Sequence, residues 1–231
     1  MMASIFDTSM WQVYNSEESW LPFLIPFALW SSCLLYSRRN SIRYARWGPV
    51  HLTHHIGAMS QASISLYLND DSLFNERITI LWSFSYFVVD VIDCLLEKHL
   101  TYSIHGVVCM ILGAYNYRTP LHRELRMNSK ASFIEASSLL LDTAKRTKNP
   151  QIFIVFAILF TCCRIIWIPF LVKELLEHNM EWTDVPMILL SIFYTLNWWW
   201  YLKILKILYK GWKGESTDEK KSEKAESKKD K

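Results

Sequence analysis

Glycine is scarce here, at six in 231 residues. No GxGxxG, phosphate loop or nucleophile elbow occurs, so the backbone cradles that hold nucleotides are excluded. There is no CxxC pair. The five cysteines (Cys33, Cys94, Cys109, Cys162 and Cys163) all fall inside apolar blocks. They read as small buried hydrophobes, not as a disulfide framework. The first twenty residues lack the basic start and apolar core of a cleavable signal. The first apolar block, from Trp20, is therefore expected to act as a retained signal-anchor. The net charge is only +3, and the basic residues come in short runs between apolar blocks, where membrane proteins carry their loops. No nucleic-acid partner is expected.

What is present is apolar and aromatic mass: 51% hydrophobic residues, with 11 Trp, 11 Tyr and 12 Phe. It comes in long blocks, the pattern of an all-α polytopic membrane bundle. Crossing a bilayer takes about 20 residues. Blocks of that order run over 20–36, 50–68, 78–96, 101–117, 152–172 and 185–208. A shorter piece, 131–141, reads as a tilted span or a re-entrant segment; if it crosses, the bundle has about seven spans. The chain divides into a lumenal segment 1–19, a first span with a basic loop 20–49, a transmembrane domain 50–210 and a Lys-rich, disordered tail 211–231. Arg38, Arg39, Arg43 and Arg46 place the first loop in the cytosol, and the tail with it. Asp70 and Asp71 then face the lumen. Arg118, Arg123, Arg126 and Lys130 also fall on the lumenal side, against the charge rule, unless that segment folds into the interface.

The stretch from Ser85 to His105 carries the strongest functional signal. Tyr86, Asp90, Asp93 and Glu97 fall at i, i+4, i+7 and i+11, one face of a helix. A charge near mid-bilayer costs at least about 3 kcal/mol, so that face must line a bundle interior or a watery cavity. Arg164 is the one deep cation, and an acid partner is expected for it, first Asp90 or Asp93, then Glu135. His105 opens its span, His55 lies near the start of another, and Asp90 sits about two-thirds along a helix running the opposite way. At about 1.5 Å rise per residue the three reach similar depth, and they are expected to converge on one cavity. His51 and His55, one turn apart, can hold a metal with Asp90 and His105. No complete HxxxH–acid motif is present, so neither metal nor cofactor is expected. The run Trp198–Trp200 reads as a packing or interface anchor.

Several of these pieces occur in an order that resembles the TLC-domain family of multi-pass endoplasmic-reticulum (ER) membrane proteins, from about His55 to Leu208. They are His55 before the acidic loop, the Tyr86/Asp90 pair, His105 in YSIHG, Glu135-Ala-Ser137-Ser138 with Asp142 where relatives usually show Asn, Arg164 and Pro169 five apart, and a final Trp-rich span. Ceramide synthases in that family carry a His-His pair where this chain has His105-Gly106, and many carry a homeobox-like insertion that is missing here.

The resemblance implies ER lipid metabolism or homeostasis. The expected catalytic groups are His105, Asp90 and Asp93, acting as acids and bases on a sphingoid or acyl substrate. The expected lipid-binding groups are His55, Tyr86, Glu135, Asp142 and Arg164. Partners would be membrane lipids, with acyl-CoA or a sphingoid base as substrate; a lipid binder without turnover is the weaker form. A cargo receptor retrieved through the terminal KKDK (Lys228–Lys231) is the alternative. Oligomeric state is left open.

Overall fold

The structure is a computed structural model. It describes residues 14, 16, 18–40, 49–68 and 76–213. Arg43, Arg46, Asp70, Asp71 and the tail with KKDK lie outside the described residues, as do the side chains of Pro49, Asp142, Lys145 and Arg146. The described residues are helical, with no strand among them. In chain order the helices are α1 (Leu21–Arg39), α2 (Pro49–Leu68), α3 (Glu76–Leu96), α4 (Leu100–Arg118), α5 (Pro120–Glu124), α6 (Met127–Ser132), α7 (Glu135–Thr147), α8 (Pro150–Glu177) and α9 (Val185–Trp212). Proline stands in the first turn of α1, α5, α8 and α9, where its missing N–H has no intrahelical acceptor to lose.

Among the described residues, two helices, Glu76–Leu96 and Pro150–Glu177, are by themselves long and apolar enough to cross a bilayer. At 13 residues α7 is about 20 Å long, short of a hydrocarbon core of about 30 Å. The short block read at 131–141 is thus broken into α6 and α7. Polarity across the bundle is inverted relative to a soluble domain. His51, His54, Gln61, Asp90, Arg164 and Asn197 are buried, while Leu24, Ile25, Ile56, Ile92, Ile158 and Phe170 are exposed. Only a solvent without hydrogen bonds rewards that arrangement.

The elements close around α3. It turns directly back into α4 through a left-handed Lys98 (φ 58°), with the His99 N–H donating to the Cys94 carbonyl at 2.8 Å. This five-residue closure satisfies an end-of-helix acceptor. Trp30 of α1 is fully buried against Val50, Tyr86 and Val89, and its indole N–H donates to Ser85 Oγ at 3.1 Å. Helix α8 is irregular: residues Thr161–Ile166 form a π-helical stretch that carries Arg164. Pro169 explains it, because its ring has no N–H to give and crowds the carbonyl of Ile165 four residues back. That carbonyl accepts instead from the Tyr194 hydroxyl of α9 at 3.0 Å.

Two of the basic residues that conflicted with the charge rule are spent on packing. Arg126 donates to the Ser65 carbonyl of α2, and Lys130 pairs with Glu174 of α8. A third polar joint was not anticipated from sequence. Glu76, buried at the start of α3, accepts the N–H of Asn128 at 2.5 Å and of Ser129 at 3.0 Å through Oε1, and the Ser129 hydroxyl at 2.5 Å through Oε2. It caps the first turn of α6, which otherwise has no side-chain cap. Hydrogen bonds to a charged acceptor are worth about 1.5–3 kcal/mol each. Glu76→Ala is therefore expected to lower the melting temperature of the detergent-purified protein by several degrees, with Glu76→Gln intermediate. An unchanged melt would show that the cap contributes nothing.

Candidate functional site

Several of the buried polar residues border one cavity of about 350 Å³. Its polar end is formed by His51, His55, Tyr86, Asp90, His105 and Glu135, from α2, α3, α4 and α7. Its other wall is mainly aromatic and aliphatic, with Phe153, Phe156, Phe160, Ile204 and Ile207 of α8 and α9, and it also includes Lys203 of α9. A smaller cavity of about 110 Å³ meets it at Phe87, His105, Glu135 and Arg164. His55, Asp90 and His105, from three helices, thus border one space.

The face of α3 divides its work. Tyr86 and Asp90 turn to the cavity. The Tyr86 hydroxyl lies 2.5 Å from His51 Nδ1, and the His54 ring stacks flat on the Tyr86 ring, centroids 3.6 Å apart. His51 Nε2 is 4.0 Å from Asp90 Oδ1, and Asp90 also accepts from the Cys94 thiol at 3.7 Å. Asp93 lines neither cavity. It is held by Arg38 of α1, whose guanidinium also reaches Glu97 at 2.9 Å.

Arg164 departs from expectation. Among the described residues it has no carboxylate within ion-pair reach. Its Nε donates to Ser137 Oγ at 2.9 Å, its Nη2 to Ser138 Oγ at 2.8 Å and its Nη1 to Asn197 Oδ1 at 3.1 Å. The guanidinium also lies over the Phe160 ring, 5.3 Å from its centroid. Asp93 is committed to Arg38, and Glu135 lies 2.8 Å from His55 Nδ1. Glu135 therefore acts on Arg164 through space, as the largest of the charges that favour its cation, without an ion pair.

His105 is packed by rings: stacked on Phe193 at 5.1 Å, edge-on to Trp200 at 5.2 Å and to Phe87 at 6.2 Å. Its Nε2 is 3.8 Å from the Cys109 sulfur. The NWWWY run is not a uniform anchor. Asn197 is fully buried and holds Arg164, Trp200 borders the cavity, and Trp198 and Trp199 face outward. Asp142 has its side chain outside the described residues. His51, His55, Asp90 and His105 all border the cavity, but among the described residues the ligand atoms that lie within 4.8 Å of one another are those of His54, His55 and Glu135. Sequence reasoning passed over His54 and Asn197. Their signal was faint, since a polar residue in an apolar helix names no partner.

Gly106 stands where ceramide synthases carry a second His. A Cβ built there would lie 2.6 Å from Val91 Cγ2 and 3.7 Å from Asp90 Oδ2. The helix α3–α4 contact leaves no room for a side chain at this position, so the missing His is a packing constraint. Gly106→Ala is expected to lose about 1–3 kcal/mol of stability through overpacking, and Gly106→Ala with Val91→Ala to recover most of it. Equal melting temperatures for Gly106→Ala and wild type would contradict the close approach.

The sequence profile of the TLC domain, of TRAM/LAG1/CLN8 type, matches residues 69–206. That is more than half of the chain, and it covers Tyr86, Asp90, His105, Glu135 and Arg164. No curated protein and no solved structure matches. With the inverted polarity of the bundle and its polar cavity, the match makes this chain a member of the TLC-domain family, an integral membrane protein associated with lipid.

Proposed function

We propose that this is a multi-pass ER membrane protein of lipid metabolism or homeostasis that takes one amphiphilic lipid into the cavity. The headgroup rests at the His51–Asp90–His105 end and the chain lies along Phe153, Phe156, Phe160 and Ile204. The observation that carries the reading is the cavity itself: histidines and carboxylates line it together with rings and aliphatic side chains, Lys203 being the one cation on the α9 side. That is the lining a lipid needs, with a few fixed polar groups for orientation and apolar surface for the tail. In this reading about seven segments cross the bilayer, the α6–α7 pair being the seventh. Its break at residues 133–134 is admissible at depth because it is buried in protein, with Ile134 and Ser137 both shielded.

The chemistry proposed is acyl transfer to a lipid amine or hydroxyl, with a sphingoid base as the acceptor the resemblance implies and acyl-CoA as the donor. His105 accepts the nucleophile's proton as the carbonyl is attacked and returns it to the leaving group, and Asp90 orients the amine. Arg164, Tyr86 and Glu135 border the headgroup. The cargo-receptor reading would use the same cavity together with KKDK, which lies outside the described residues; the histidines and carboxylates that line the cavity favour the lipid reading.

Protein in nanodiscs, extracted with solvent and analysed by mass spectrometry, is expected to release about one bound lipid per chain. With acyl-CoA and a sphingoid base, His105→Ala is expected to lower N-acyl product formation by at least about 10²-fold while the bound lipid stays. Lipid retention without turnover in wild type would reduce the protein to a lipid binder. No retained lipid at all would overturn the reading.

A further inference from the structure

The cavity's polar end contains a grouping that acid–base chemistry does not use. His54 and His55 of α2 and Glu135 of α7 each offer a ligand atom, and these atoms all lie within 4.8 Å of one another. His54 is 1% exposed, and neither of its ring nitrogens has a hydrogen-bond partner. Its ring is held by stacking on Tyr86 and by edge contacts with Trp30, His55 and Phe87. An imidazole sealed in this way carries an uncompensated donor and an uncompensated acceptor, which buried native side chains rarely tolerate.

His55 and Glu135 add a second anomaly. His55 Nδ1 stands 2.8 Å from Glu135 Oε2, yet the approach does not have hydrogen-bond alignment. Two donors bound to one ion at about 2.0–2.1 Å, at near-right to tetrahedral angles, are themselves about 3 Å apart. A short, misaligned N···O contact beside an orphaned imidazole is the arrangement two ligands of one metal ion produce.

We propose that His54, His55 and Glu135 bind one divalent first-row transition-metal ion. Two imidazoles and a carboxylate form a borderline donor set suited to zinc or iron, not to magnesium or calcium. His55 and Glu135 border the cavity, whereas His54 lies behind them. The three protein ligands thus leave the remaining coordination positions open toward the space where a lipid headgroup would sit. Three protein ligands with an open position is the pattern of metal sites that bind substrate, not of closed structural sites. The site stands on these residues alone and does not depend on the acyl-transfer reading. Sequence spacing could not disclose it, because the third ligand comes from a distant helix and the two histidines are adjacent, not one turn apart.

The test uses full-length protein purified through a peptide tag without metal chromatography, stripped with EDTA, given stoichiometric Zn²⁺ and desalted. Elemental analysis is expected to find about one zinc per chain, following the three-ligand count. His54→Gln and Glu135→Gln are expected to retain at least tenfold less, and His178→Ala, which alters an exposed histidine, as much as wild type. Since the cavity variants can fail to fold, the wild-type protein is also titrated with Co²⁺. A visible d–d absorption that saturates at one equivalent and is abolished by Zn²⁺ supports the site. Zinc retention equal in wild type and folded His54→Gln overturns it, as does a Co²⁺ titration with no saturable band.

Discussion

One guanidinium organises the interior of this protein. Arg164 sits on the π-helical stretch that Pro169 imposes on α8, and its fork reaches Ser137 and Ser138 of α7 and Asn197 of α9. Three helices are thereby fixed to one planar group, and through Glu135 and His55 a fourth, α2, is set against them. Arginine suits the task because its donors are rigid and directed, where an ammonium would be a point charge on a flexible stem. The acceptors are neutral, so the charge is balanced at a distance by Glu135 and the acids remain available elsewhere. Asp93 and Glu97 lock α1 to α3 through Arg38, Glu76 caps α6, and Asp90 faces the cavity.

The cavity follows from that division. Lipid-facing surfaces are apolar, so every ionisable group must find its partner inside, and the partners are spread over different helix pairs. What is left at the centre is a space with histidines and carboxylates at one end and rings along the other wall. Gly106 belongs to the same logic. The approach of α3 to α4 that brings Asp90 and His105 to one cavity is close enough to deny position 106 a side chain. A departure from the ceramide synthase pattern is thus tied to the packing of the site.

Much of this was legible in the sequence. The blocks located the long helices because apolar length is a one-dimensional signal. Helix rise and alternation led to the expectation that His55, Asp90 and His105 meet, and all three border one cavity. What periodicity could not supply was the neighbour of each polar face. Asp90 and Asp93 share one broad face of α3, yet one meets the cavity and the other meets α1, which depends on where α1 packs. Arg164 drew an expected acid because charge complementarity is the simplest rule, whereas the fold supplied two hydroxyls and an amide. The break at 133–134 carries no Gly or Pro to mark it, so the sequence left a tilted span and a re-entrant segment both open. Glu76 and His54 gave no warning, since their roles exist only across helices.

The central claim is that the directed fork of Arg164, and not its charge alone, holds α7, α8 and α9 together around the cavity. Thermal unfolding of Arg164→Lys in lipid nanodiscs tests it most directly, because that change keeps the charge and removes the fork. The account predicts a marked fall in melting temperature, equivalent to about 2–4 kcal/mol for the loss of two or more charged hydrogen bonds. A melting curve superimposable on that of the wild type would contradict it.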